Sequence, residues 1–147
     1  MELYSDAYYM NEALKQAQQA YEEGEIPVGA VVVSGNRIIA RAYNQTEKLQ
    51  DVTAHAEMLA LTAAANYLGA KYLIDCRLYV TLEPCIMCAG ATFWSQIGLL
   101  YYGADDPKRG FSRLSKSILH PKAKVQAGLM AVESKALLDS FFKKLRG

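Results

Sequence analysis

Apolar positions recur along the chain in two alternating rhythms. Met10, Ala13, Leu14, Ala17, Ala20 and Tyr21 fall three or four residues apart, which puts them on one face of a helix. Ser5 suits its N-cap and Gly24 its stop. Val28 to Val33 is a short β-branched run, and Ser34-Gly35-Asn36-Arg37 is turn chemistry. Ile38 to Tyr43 then returns as the second strand of a hairpin. Thr53 is placed to cap a helix from Ala54 to Leu68, closed by Gly69. Arg77 to Leu82 reads as a strand. Cys85 to Ser95 follows as a helix, with Pro84 at an entrance where a missing N–H costs little. Ile97 to Tyr102 is a fourth strand and Val125 to Leu129 a fifth, at an edge. Between them the periodicity is weak, with a short helix expected around Leu114 to Leu119. Leu137, Leu138, Phe141, Phe142 and Leu145 mark an amphipathic C-terminal helix.

A hairpin followed by strand–helix–strand units predicts an α/β fold: a three-layer α/β/α sandwich on a mixed five-stranded sheet. No repeat, low-complexity stretch or linker interrupts it, so residues 1–147 are expected to form a single domain. The composition, 52% hydrophobic and 21% charged, is that of a globular chain with its own core. No apolar run approaches the roughly 18 residues a membrane helix needs. The opening Met1-Glu2-Leu3-Tyr4-Ser5-Asp6 lacks a basic n-region and an apolar h-region. We therefore expect a cytoplasmic protein with no membrane partner. Three cysteines, two of them in a C-x-x-C, fit a metal or redox site in a reducing compartment better than a disulfide scaffold.

The formal charge of +1 hides an asymmetry. Residues 1–104 hold 6 Lys/Arg against 11 Asp/Glu, whereas residues 105–147 hold 10 against 4. Lys108, Arg109, Arg113, Lys116, Lys122 and Lys124 cluster in the second part. A solvated surface and a phosphate-contacting surface both account for this, and charge alone leaves the two open.

Two segments carry chemistry: Thr53-Ala54-His55-Ala56-Glu57 and Leu82-Glu83-Pro84-Cys85-Ile86-Met87-Cys88. Each is expected at a helix N-terminus. Cys85 and Cys88, three apart, share one face of a first turn, where thiolates are stabilised in the form that binds zinc. His55 adds an imidazole. Three protein ligands leave a fourth position for water, which is the catalytic rather than the structural pattern. Two thiolates make the zinc formally neutral and weaken its pull on water. Glu57, two residues past His55, can compensate as the base and then return the proton. Against this stands a structural knuckle closed by a fourth ligand, for which only Cys76 and His120 remain, or a redox pair, which would not need the upstream H-x-E.

H-x-E followed by P-C-x-x-C is a signature of zinc nucleobase deaminases. At these residues the chain resembles the bacterial tRNA-specific adenosine deaminases of the cytidine deaminase superfamily. The likeness extends to Glu25 to Val33, Ala42-Tyr43-Asn44, Leu78 to Ala91, Tyr102 to Lys108 and Leu137 to Phe142. It implies a cytidine-deaminase-like fold, one Zn²⁺ per subunit and no organic cofactor. It also implies a homodimer with sites near the interface, and hydrolytic conversion of adenosine to inosine at the wobble position of a tRNA anticodon loop. On the same basis His55, Cys85 and Cys88 hold the metal and Glu57 is catalytic. Asn44, Ala54, Asp106 and Lys108 contact substrate. Unaided, Asn44 reads as a turn residue and Asp106 and Lys108 as surface charge.

The chain departs from the pattern at Arg109 to Leu114, where Phe111 and Arg113 stand in place of small residues. Phe93-Trp94-Ser95 is more similar to free-base guanine deaminases. The alternative is thus a deaminase of a free base or nucleoside: guanine, cytosine or cytidine. Phe111 suits stacking on an extruded base or plugging an apolar gap equally. Trp94 is expected in the core or a dimer interface, and Cys76 as a small buried apolar residue. His120, before Pro121, reads as loop structure or a phosphate contact.

Overall fold

A computed structural model describes residues 2–147, with the side chain of Lys116 excluded. Met1 and the Lys116 side chain, both used in the sequence reading, therefore lie outside the described residues. The first helix, α1, spans Asp6–Glu22. Ser5 Oγ accepts the Tyr8 N–H at 3.0 Å as its cap. The hairpin is β1 (Gly29–Ser34) and β2 (Arg37–Tyr43). Then follow α2 (Ala56–Leu68), β3 (Cys76–Leu82), α3 (Ile86–Ser95) and β4 (Leu99–Ala104). Two short 3-10 turns, Phe111–Arg113 and Lys116–Ile118, take the place of the expected helix around Leu114 to Leu119. The edge strand β5 (Lys124–Ala127) and the helix α4 (Ala131–Arg146) complete the chain.

The five strands are ordered β2-β1-β3-β4-β5. β1 is antiparallel to both its neighbours, while β3, β4 and β5 run parallel. The mixed sheet read from the sequence is therefore present, and so are its three layers. Ala30, Val32, Leu78 and Val80 face Ala56, Ala60 and Ala64 of α2 and Ala89 of α3. Val31, Val33 and Tyr79 face Tyr9, Met10 and Ala13 of α1. α4 packs on that same side, against β3 and β4. The central strands are buried on both faces, which is why Val28 to Val33 reads as a continuous apolar run rather than an alternating one.

Gly29 lets α1 sit close against β1. A Cβ there would lie 2.0 Å from the Ala13 carbonyl oxygen and 2.4 Å from the Ala17 nitrogen. Most boundaries shift by a residue or two from expectation, and three of the shifts bear on the site. α2 begins two residues late, with His55 at its N-cap rather than Thr53, whose hydroxyl instead donates to Asp51 Oδ1 at 2.7 Å. α3 begins after Cys85, which is its N-cap. β4 is displaced to Leu99 because Gln96 takes a left-handed conformation that closes α3 and redirects the chain.

Candidate active site

The sheet topology collects one set of chain ends. The start of β1 and the ends of β2 and β3 meet at one rim, since Gly29 pairs with Tyr43 and Ala30 with Val80. The parallel β4 ends there too, with Leu82 beside Ala104. α2 and α3 begin at this rim. Their N-caps, His55 and Cys85, have extended backbones, and neither side chain makes a capping hydrogen bond. Both side chains are thus free for other partners, and Cys88 follows in the first turn of α3.

His55, Cys85 and Cys88 come together, each offering a donor atom within 4.8 Å of the others. His55 Nδ1 lies 3.7 Å from Cys85 Sγ and 3.5 Å from Cys88 Sγ. Tetrahedral zinc, with Zn–N near 2.05 Å and Zn–S near 2.3 Å, requires an N···S edge of about 3.6 Å. The donor set therefore fits zinc in spacing as well as in kind. The hydrogen bond from Cys88, and then the one with His55, pull the Cys85 thiol down to about 4. Its bond to Cys85, reinforced by burial, holds Cys88 protonated. The Cys85 thiolate in turn raises His55.

Among the described residues no fourth ligand joins this group. Cys76 begins β3, at the opposite end of the strand from Cys85, and is buried as an apolar residue. His120 lies against Phe93, ring centroids 5.5 Å apart, and its Nδ1 accepts the Lys122 N–H at 3.1 Å. The closed structural knuckle lacks its ligand. Glu57 stands in the first turn of α2, 4% exposed, with Cys88 in hydrogen-bonding reach. Burial lifts its carboxyl to about 7, so it can both take and give a proton near neutral pH.

The remaining expected residues lie around the same rim. Asn44 follows β2 and is buried. Its N–H bonds Val28 O at 3.0 Å and its amide reaches Ile26 O at 3.4 Å. Ala54 is buried beside His55, and its carbonyl accepts the Gln45 N–H at 3.0 Å. Asp106 Oδ1 accepts the N–H groups of Lys108 (3.1 Å) and Arg109 (3.0 Å), shaping the loop after β4. The Lys108 side chain is exposed and makes no ion pair among the described residues. Of the two readings open for Phe111, the structure selects the apolar plug. It is 2% exposed and packs edge-on to Tyr102 at 6.1 Å, so it fills the core and does not stack on a base. Trp94 is 76% exposed, which removes it from the core. A cavity of about 650 Å³ opens at the far end of the sheet, lined in part by Asp75, Arg77, His120, Lys122 and Lys124. None of the three metal-group residues borders it.

Two buried acids at this rim were missed by sequence reasoning. Glu25 accepts the N–H groups of Glu47 (3.1 Å) and Lys48 (2.7 Å). Glu83 accepts those of Asp106 (3.0 Å) and Ser112 (3.0 Å) and the Ser112 hydroxyl at 2.6 Å. Each thus ties a loop at the rim to a strand end. The one available signal was that both acids adjoin apolar strand segments, where a solvated carboxylate is out of place.

A His/Cys/Cys group at two helix starts, His55 and Cys85 part-buried and Cys88 buried, with a buried acid beside it, defines a zinc-dependent hydrolytic site. Residues 3–104 match the cytidine and deoxycytidylate deaminase zinc-binding region, and the chain belongs to that family. More particularly, it is 45% identical over 144 residues to the tRNA-specific adenosine deaminase of Aquifex aeolicus, covering 95% of each chain. It is 44% identical to that of Bacillus subtilis, covering 96% of this chain and 91% of the relative. A solved structure from work on A-to-I editing by tRNA:A34 deaminases superposes with a TM-score of 0.84 at 43% identity. That match covers 89% of this chain and 99% of the other. A guanine deaminase from Bacillus subtilis superposes with a TM-score of 0.66 at 38% identity, over 69% of this chain and 65% of its own.

Proposed function

We propose that this chain is a zinc-dependent deaminase that converts adenosine to inosine at the wobble position of a tRNA anticodon loop. The observation that carries the chemistry is the three-donor group with Glu57 beside it. The identity to tRNA-specific adenosine deaminases over nearly the whole chain carries the substrate. His55 through Nδ1, and Cys85 and Cys88 through Sγ, would hold the metal. Zinc bound there would supply the Lewis acidity that makes water nucleophilic near neutral pH. Glu57 takes the proton from that water as oxygen adds to C6 of adenine. It passes that proton to N1, then takes the proton of the new C6 hydroxyl and delivers it to the exocyclic amine. The C6–N bond breaks as C6=O forms, so adenosine and water become inosine and ammonia. The burial of Glu57 keeps its affinity for a proton in the range both transfers need.

Asn44 and Ala54 wall the base site, and Asp106 and Lys108 meet the RNA backbone from the loop after β4. The excess of cations in residues 105–147 supports an anionic polymer as the partner. We further propose that residues 1–147 act as one domain in a cytoplasmic homodimer. The free thiols fit a reducing compartment. No helix among the described residues is long and apolar enough to cross a membrane. Ile86 and Trp94, exposed on α3, suit a second copy of the chain.

The second reading, a free-base deaminase, draws on the guanine deaminase likeness. Inosine formation in an anticodon stem-loop, measured beside ammonia release from guanine, cytosine and cytidine, separates the two. Inosine at the wobble adenine is expected, and activity confined to the free substrates overturns the RNA assignment.

A further inference from the structure

We propose that Glu83 is a positioning residue for substrate recognition. It locks the loop of residues 105–112 onto the segment that carries the metal ligand Cys85. The inference rests on the RNA reading above and concerns how the loop's cations are held relative to the metal group.

Glu83 leaves β3 two residues before Cys85 and is 3% exposed. A carboxylate buried this deeply is costly unless it is paired. Among the described residues it has no Lys or Arg partner. Its compensation comes from the loop. Oε1 accepts the Asp106 N–H at one end, and Oε2 accepts both the N–H and the hydroxyl of Ser112 at the other. The neighbouring backbone repeats the pattern. Glu83 N–H donates to Ala104 O at 2.8 Å, Phe111 N–H donates to Pro84 O at 2.9 Å, and Cys85 bridges Gly110. At Gly110 an added Cβ would lie 2.2–2.4 Å from the Glu83 carboxyl atoms, so the loop closes directly over this group.

Inside the loop, the Asp106 side chain is occupied by the Lys108 and Arg109 amides. The side chains of Lys108 and Arg109 are left exposed. The chain of contacts therefore runs from the Cys85 segment through Glu83 to Asp106, and from Asp106 to two exposed cations. An apolar residue at position 83 would spare the desolvation of a charge, but it would leave three donors at fixed places without an acceptor. What a carboxylate adds is one defined shape for the loop. In the proposed reaction that shape places the cations on the RNA backbone while the target base is at the metal. Lys108 and Arg109 make contacts common to bound substrate and transition state, so their misplacement weakens binding rather than the chemical step.

The test compares the zinc-loaded protein with E83Q, G110A and S112A on one anticodon stem-loop, recording KM, kcat, zinc content and thermal unfolding. E83Q turns an amide toward backbone N–H groups. G110A pushes a methyl group into the carboxylate, and S112A removes one donor. E83Q and G110A are expected to raise KM about tenfold or more with kcat within about threefold, and S112A to raise KM about threefold. Combining E83Q with G110A should cost less than the product of the two, because both break one contact. Unchanged KM in E83Q and G110A overturns the proposal. So does a fall of kcat together with zinc content, which would make Glu83 a support of the metal group alone. If E83Q fails to fold, S112A and G110A carry the same test through the KM and kcat split. A wild-type protein inactive on the stem-loop but active on free bases fails the substrate reading instead, and the control reports that before any variant is measured.

Discussion

Replacing Glu57 by Gln isolates the proton-transfer role. The side chain is 4% exposed in the first turn of α2, and Gln has nearly its volume, so packing against Cys88 is kept. Glu57 is not among the three donors of the metal group, so zinc content should be unchanged. What disappears is a carboxyl that burial has lifted to about 7. A positioned acid–base group contributes about 10²–10⁴ in rate. Here one group handles the proton from water and its delivery to the purine, so the loss should lie at the upper end. A factor of about 10⁴ in kcat corresponds to about 5.4 kcal/mol in the barrier. KM should move only a few-fold, since the base and the RNA are held elsewhere. Single-turnover inosine formation, quantified after nuclease digestion and chromatography, gives the rate, and zinc analysis of the same sample gives the occupancy. A rate within about 100-fold of the original, or a loss of zinc alongside the loss of rate, refutes the reasoning.

Other outcomes follow from the same geometry. Cys85→Ser should lower zinc affinity by at least about 100-fold, because it replaces a thiolate donor with a neutral hydroxyl. Cys76→Ser, at the far end of β3, should leave zinc affinity unchanged in competition with a chromophoric chelator. Gly29→Ala should destabilise the protein by about 3 kcal/mol in urea unfolding. The new methyl would meet α1 backbone at 2.0 and 2.4 Å, and a helix cannot yield as a side-chain tip can. Glu12 is held below the usual carboxylate range by hydrogen bonds from Lys15 and Arg41, each 2.7 Å away. A depressed folded pKa contributes stability above the unfolded value, and that stability is lost as pH falls through the folded one. Glu12→Gln should therefore cost about 1 kcal/mol or less at pH 7, given its exposed partners. The difference from the original should fade as pH falls below the ordinary carboxylate range, as read from unfolding midpoints across pH.

How much was legible depended on whether the determining contacts were local. The apolar runs placed β1 and β3 because strands buried on both faces must be apolar throughout. The His55, Cys85, Cys88 and Glu57 arrangement was legible because each ligand sits at or just inside a helix start. Capping rules nonetheless misplaced those starts. They favour Thr53, whereas the chain puts His55 and Cys85 at the caps and leaves their side chains uncommitted. Donors for a metal override the usual preference for a capping oxygen. Phe111 was undecidable from its neighbours, since a bulky ring among Lys and Arg suits a core or a base, and only the position of Tyr102 chooses between them. For Glu25 and Glu83 the sequence hinted at burial through their apolar neighbours but did not reveal their partners. Their partners are amides more than twenty residues away, and no local pattern announces which acid a distant loop will fold around. The segment after β4 resisted for want of periodicity; it forms two short turns, the first of them pinned by the Glu83 contacts.

The central claim is that His55, Cys85 and Cys88 hold zinc by three protein atoms, with Glu57 beside the remaining position. A crystal structure of the zinc-loaded protein, with the metal located by anomalous scattering at the zinc edge, tests this directly. The account predicts Nδ1 and two Sγ atoms around the ion, a solvent atom as the fourth neighbour, and the Glu57 carboxylate in hydrogen-bonding distance of that atom. A fourth neighbour supplied by protein, or Glu57 itself bound to zinc, contradicts it.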